Sequence, residues 1–257
     1  MRIFFLLGAL LISHTAFAAD NCSRYGCPSG AASNNDLINR AIYTMSNNRT
    51  TKFADWVAYK VTPNSIDGPS RSRSWKSDPN IASAYTLEAS DYKDAHAILQ
   101  TDRGHQVPLA SFSNTSSWSQ TNYLSNITPQ SSNLNQGPWV RLETAVRNLA
   151  RSGKQVYVVT GPLYEYYFGT LPQADENHRI PSGYFKVVAT ISHSGYVKAS
   201  GFIMEQNSGR NDYYCNKEVT IDQVESRTGL NILPGMSNSK AYAVESKLGG
   251  ISADIGC

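Results

Sequence analysis

The sequence is poor in several features that define whole classes of protein. Cysteine occurs only four times in 257 residues. No two cysteines form a close C-x-x-C pair, which argues against a compact thiolate zinc site. Charged residues make up 17% of the chain and the formal net charge is +3, so charge alone neither demands nor excludes a nucleic-acid partner. No segment repeats at a period of roughly 20–50 residues, which argues against a solenoid or a propeller. The 18 glycines and 11 prolines follow no triplet period, and collagen is excluded. Beyond residue 12 no apolar run approaches the roughly 20 residues that span a bilayer, and no membrane partner is expected. What is present is a large apolar and aromatic fraction, 40% hydrophobic with 15 Tyr, 8 Phe and 4 Trp. That is ample for a core and excludes a disordered chain. The length permits one or two domains. Without a linker-like stretch to divide it, the chain reads as one domain over residues 20–257.

The first residues carry a different signal. Arg2 precedes ten apolar or small residues, Ile3 to Ile12, and Ala16-Phe17-Ala18-Ala19 follows. A positive charge, a short apolar stretch and a small-residue cleavage site make a secretory signal. Residues 1–19 are therefore expected to be removed after Ala18 or Ala19, leaving an exported chain. The removed segment holds one Arg and no acid, so the mature formal charge is +2. Export explains the cysteines, because an oxidising compartment would pair Cys22, Cys27, Cys215 and Cys257. Three connectivities are possible. The simplest joins Cys22 to Cys27 and Cys215 to Cys257.

Periodicity and turn chemistry place the elements. Ala41–Met45 and Phe53–Val61 flank the turn-prone Asn47-Asn48-Arg49-Thr50 and read as a hairpin. The loose alternation of Phe53, Val57, Tyr59 and Val61 suggests that both faces are covered. Residues 62–80 and 113–137 have loop composition. Trp139, Leu142, Val146 and Leu149 recur at helical spacing until Ser152-Gly153. Pro138 fits the first turn, so this helix should begin near Asn135. Gln155–Thr160, Tyr184–Ile191 and Tyr196–Met204 read as strands. Thr220 and Gln223 make a capping box for a short helix closed by Gly229. Strands adjoining strands, with few helices, predict an α+β fold on a central antiparallel sheet, with flanking helices and long loops.

The chemistry-bearing stretch is Thr101-Asp102-Arg103-Gly104-His105. Arg103 offers a planar fork suited to phosphate. Gly104 would let the backbone approach a ligand. His105 can act as a base near neutral pH if it stays uncharged. On the expected helix, Asn135, Trp139, Glu143 and Arg147 fall at i, i+4, i+8 and i+12 and form one drifting stripe. His96, His178 and His193 lack such neighbours and read as surface or packing residues.

The Asp-Arg-Gly-His tetrad at 102–105 resembles the active-site signature of the non-specific DNA/RNA endonuclease family of the Serratia secreted type. Asn126-Ile127-Thr128-Pro129-Gln130 and Leu134-Asn135-Gln136-Gly137 lie at that family's spacing. Arg73 and both cysteine pairs extend the resemblance from Cys22 to Cys257. The resemblance implies a ββα-metal motif in which two strands deliver the histidine and a helix delivers an asparagine. His105 would be the general base. Asn135 would be the one protein ligand of a hydrated Mg2+, with Mn2+ as an alternative. Glu143 would hold water on that ion. Arg73, Arg103 and Arg147 would surround the scissile phosphate, and Asn126 would line the site. The substrates would be DNA and RNA, single- or double-stranded, cut to 5′-phosphorylated oligonucleotides. Arginines and amides contact phosphate without reading bases, which suits a broad substrate range. Two rivals compete with this reading: an exported non-catalytic nucleic-acid-binding protein of the same fold, and a secreted phosphodiesterase for a small molecule. A pure binder would not need His105, Asn135 and Glu143 together. The sequence carries no signal for or against a homodimer.

Overall fold

A computed structural model describes residues 21–257, so the expected signal segment lies outside the described residues. Among the described residues, nine strands and five α-helices follow in chain order. They are β1 (Asp36–Asn39), β2 (Thr44–Asn47), β3 (Ala54–Val61), α1 (Ala95–Leu99), β4 (Thr101–His105), β5 (Ile127–Ser131), α2 (Ser132–Leu134) and α3 (Val140–Arg151). β6 (Val156–Leu163), β7 (Gly183–Ile191), β8 (Val197–Glu205), β9 (Glu218–Val219), α4 (Ile221–Thr228) and α5 (Asn238–Glu245) complete the chain. Seven strands form one sheet in the order β1-β2-β3-β6-β7-β8-β9, and β4 pairs with β5 separately. Every ladder is antiparallel. The expected α+β class and central antiparallel sheet are both present.

Side-chain alternation along the central strands gives the large sheet two apolar faces. Val57, Tyr59 and Val61 on β3 join Val156, Val158, Tyr184 and Phe202 on one face, where Leu142, Val146 and Leu149 of α3 cover them. Trp56 and Ala58 point the other way, with Phe185, Val187 and Ala199, beneath Ile221 and Val224 of α4. The expectation that the 53–61 strand is covered on both sides holds. A third cluster of Phe53, Leu87, Tyr92, Leu124 and Ile127 lies under the β4–β5 pair. Each fully buried large apolar side chain contributes roughly 1.5–3 kcal/mol, and these three clusters fix where β4, β5 and α3 meet.

Local chemistry explains the ends. Thr220 accepts from the Gln223 amide and Gln223 answers at the Thr220 amide, so the α4 capping box is complete. Gly229 closes α4 with φ of 73°. Cys22 is bonded to Cys27 and Cys215 to Cys257, the simplest of the three pairings.

One helix expectation is corrected. The helix proper starts at Val140, and Asn135–Trp139 form a separate wide turn broken at Gly137 (φ −111°, ψ −118°). The cause is close packing. A Cβ on Gly137 would lie 2.6 Å from the carbonyl oxygen of Arg210. Asn135 therefore precedes a break and does not begin a straight rod. Trp139 leaves the expected stripe for the core, where it is 1% exposed and packs on Tyr184.

Candidate active site

The two-stranded ladder carries the tetrad. Asp102 pairs with Gln130, Gly104 with Thr128 and His105 with Ile127. α3 crosses beside it, and together they border a cavity of about 610 Å³. Arg73, Arg103, His105, Asn135, Glu143 and Arg147 all line that cavity.

Asn126, expected to line it, does not. Its side chain is fully buried. Its Oδ1 accepts from the Val107 amide at 2.9 Å, and its Nδ2 donates to the Val107 and Thr121 carbonyls. Backbone amides left unpaired in the loop after His105 would be costly, and Asn126 satisfies them. It holds the loop and leaves the cavity wall to others. Gly104 is also corrected. A Cβ there would meet Gln130 Oε1 at 2.5 Å, so the glycine makes room for a buried glutamine and no ligand need explain it.

The imidazole of His105 is held from two sides. Asn122, almost wholly buried, donates through Nδ2 to the Ser72 carbonyl at 2.9 Å, which turns Oδ1 toward His105 Nε2 at 3.4 Å. That contact favours a proton on Nε2 and leaves Nδ1 as the free base. Trp75 tilts against the ring with centroids 5.3 Å apart. Burial and the Arg73 charge hold the His105 pKa down to about 4 against the Asn122 hydrogen bond, so the ring is neutral at pH 7.

Asp102 is the hub of the opposite wall. Its carboxylate accepts from Asn135 Nδ2 at 2.9 Å, Gln136 Nε2 at 2.8 Å and Ser132 Oγ at 2.7 Å, and contacts His96 Nδ1 at 3.1 Å. Burial opposes its ionisation, but these hydrogen bonds outweigh burial and keep its pKa below the ordinary value. With Nδ2 engaged, the Asn135 Oδ1 is the atom left for a ligand. His96, read as a surface or packing residue, is indeed exposed, and it also lines the cavity. His178 packs as expected: it is buried and its Nε2 accepts from the Leu171 amide. His193 is exposed.

Arg103 donates to the Ala89 carbonyl at 3.0 Å, and its guanidinium lies over Tyr92 and Trp75 at 5.3 and 5.7 Å. Its Nε is buried without a partner among the described residues, a donor left for an anion. Arg147 donates to Thr144 Oγ1 at 2.8 Å. Glu143 is pushed above the ordinary carboxyl range by burial, against the pull of Lys186 and Arg147. Lys186, on β7, is a fully buried lysine. It donates to Tyr59 Oη at 3.2 Å, and its ammonium sits 4.2 Å from the Trp139 ring centre.

Sequence reasoning gave no role to Lys186, Asn122 or Asp102. Asp102 was within reach, since it opens the same tetrad. A lysine inside an apolar strand and an asparagine in a polar loop offered no signal.

Residues 21–239 match the family model described as DNA/RNA non-specific endonuclease. The chain belongs to that family. This endonuclease is 43% identical to the nuclease of Serratia marcescens over 254 residues, covering 98% of this chain and 94% of the relative. It is 29% identical to human mitochondrial endonuclease G over 251 residues, covering 88% and 78%. A solved structure of the EndoG/EndoGI complex aligns with a TM-score of 0.70 at 22% identity, over 84% of this chain and 91% of that one, which shows a shared fold. The chain is accordingly a phosphodiester hydrolase, a sugar-non-specific endonuclease acting on DNA and RNA.

Proposed function

We propose that this endonuclease is exported and cuts DNA and RNA with His105 as general base and a hydrated Mg2+ held by Asn135. The observation that carries the reading is the shared cavity: a neutral imidazole on one wall, an amide oxygen freed by Asp102 on the other, and arginines between. A neutral amide oxygen beside a carboxylate suits a hard cation that keeps most of its waters, and no soft thiolate competes. Asn135 would hold the ion, with Glu143 accepting hydrogen bonds from the water around it. When bound, Mg2+ supplies positive charge to the phosphoryl oxygen and the departing 3′-oxygen.

The chain's own groups do the rest. His105 Nδ1 takes a proton from a water as that water's oxygen attacks phosphorus. The bond from phosphorus to the 3′-oxygen breaks, the 3′-oxygen takes a proton from solvent and His105 returns its proton to solvent, leaving a 5′-phosphate and a 3′-hydroxyl. Arg73, Arg103 and Arg147 are already in place for the charge that builds on the five-coordinate phosphorus, so little reorganisation is needed. External water makes the ribose 2′-hydroxyl unnecessary, which accounts for cutting both polymers. Two disulfides accord with an oxidising destination.

Circular DNA and RNA, incubated with the mature chain with and without EDTA, test this reading. Both should be cut only when Mg2+ is free, giving ends that a ligase joins without prior phosphorylation. Asn135→Ala should abolish the Mg2+ response. A variant with an unchanged Mg2+ titration removes Asn135 from the metal site.

A further inference from the structure

One ring in the catalytic cavity has no part in the reaction proposed above. His96, the second residue of α1, lines the cavity, and its side chain is 65% exposed. The back of the ring is fixed. Nδ1 lies 3.1 Å from Asp102 Oδ1 and 3.2 Å from Ser132 Oγ, and Ser132 Oγ itself donates to Asp102 Oδ1 at 2.7 Å. The other oxygen of Asp102 carries the Asn135 and Gln136 amides. One carboxylate thus holds an imidazole on one oxygen and the proposed metal-site amide on the other. With Nδ1–H given to Asp102, Nε2 is the ring atom without a partner among the described residues. Asp102 is the charged group that touches the ring. α1 and α2 carry no other charged side chain. Arg103, next along β4, turns to Tyr92 and Trp75, and Arg210 donates to Gln136 Oε1 at 2.9 Å.

β4 fixes where this ring stands. A strand rises about 3.4 Å per residue, so Asp102 and His105 are roughly 10 Å apart along it. In the proposed reaction His105 serves the attacking water, and the departing 3′-oxygen lies toward Asn135. From that oxygen the substrate runs through its sugar to the next phosphate on the 5′ side. His96 stands on the same wall, beside Asp102 and away from His105. We propose that His96 holds this neighbouring phosphate, the one 5′ to the bond that is cut. The subsite rests on the assignments of His105 and Asn135 above. Between the Asp102 carboxylate and a phosphodiester the ring has an anion at each nitrogen, which favours the imidazolium. On binding it takes its second proton from solvent. It then gives Nδ1–H to Asp102 and Nε2–H to a phosphate oxygen, a charge-assisted hydrogen bond. The contact reads no base, so it serves DNA and RNA alike.

Thymidine oligonucleotides built on neutral methylphosphonate linkages test this with the mature chain in Mg2+. One carries a single phosphodiester. Two others carry a second phosphodiester, immediately 5′ or immediately 3′ of the first. Product lengths separate the cuts, so kcat/KM is read at the common linkage. In the wild type the 5′ charge should raise it about tenfold, the size of one charge-assisted hydrogen bond. In His96→Ala, an exposed change that a helix tolerates, the 5′ gain should almost vanish while the 3′ gain stays. The Mg2+ titration of this variant should match wild type, because Ser132, Asn135 and Gln136 still hold Asp102. No 5′ gain in the wild type, a 5′ gain that survives in His96→Ala, or 5′ and 3′ gains that fall together overturns the proposal. A titration moved to higher Mg2+ would make His96 a prop for Asp102 and overturns it too. Failure of the Asn135 assignment would show separately, as an unchanged Mg2+ titration of Asn135→Ala on plasmid DNA.

Discussion

An imidazole that works as a base must be neutral where the enzyme works, and the surroundings of His105 make that condition quantitative. Burial and the cation of Arg73 bring it from the ordinary 6.5 to about 4. That difference corresponds to about 3 kcal/mol against the protonated ring. At about pH 5.5 an ordinary imidazole would be roughly one-tenth neutral, whereas this one stays more than nine-tenths neutral. Protonation removes the base, so kcat/KM should hold down to about pH 5.5 and then fall about tenfold per pH unit below its midpoint. The Arg73→Gln variant isolates the cause. Removing the cation raises the His105 pKa, so the acid limb should move to higher pH whatever happens to the plateau. Glu143 is a second titratable group at the site, its pKa raised by burial, but Arg73 is not among the charges acting on it. Initial rates on plasmid DNA across about pH 4–8 give both profiles. A wild-type rate already down tenfold at about pH 5.5, with an Arg73→Gln limb that does not move, would refute the assignment.

Other expectations concern the frame. Burial holds Lys186 down to about 8 from the ordinary 10.5. Between those values the unfolded chain binds more protons at this residue, so its contribution to stability rises with pH through that window and is least favourable below about 8. Lys186→Met should therefore be at least as stable as wild type at about pH 7, with the gap closing toward about pH 9.5, by urea unfolding. Its turnover should fall, because Glu143 loses its main opposing cation; full activity would remove Lys186 from the site's electrostatics. The Cys215–Cys257 bond spans 42 residues and should contribute about 4 kcal/mol by loop closure, against about 2 for the five-residue span of Cys22–Cys27. Denaturant unfolding of the two serine-pair variants ranks them, and the reverse order would contradict the loop-length argument. Gly137→Ala should cost about 1–3 kcal/mol, since its new methyl meets the Arg210 carbonyl. It should also raise the Mg2+ concentration needed for half activity, and a wild-type Mg2+ titration would mean the break does not set Asn135.

What could be read from the residues followed the strength of local patterning. The β2–β3 hairpin, α3, β6 to β8 and the capped α4 all carry apolar periodicity or explicit turn chemistry, and each lies within a few residues of its expected span. The β4–β5 ladder does not. Thr101–His105 holds no alternating apolar set, and Pro129 within β5 reads against a strand. These strands form because the cluster around Phe53 and Ile127 lies beneath them, a contact distant in sequence. The same limit applies at the site. The family resemblance pointed to His105, Asn135 and Glu143, and all three line the cavity. The buried Asn126, the cavity-facing His96 and the core-bound Trp139 depend on how elements pack, which no single stretch encodes. Gly137 looked like part of a continuous helix until the Arg210 backbone stood against it.

The four contacts on Asp102 change what the tetrad means as a unit of heredity or engineering. Its first member holds an amide more than thirty positions downstream, while its last is the proposed base. Swapping the amide alone, to court another ion, would leave the old anchor steering the newcomer. The anchor and the amide are a matched pair, to be transplanted or redesigned together.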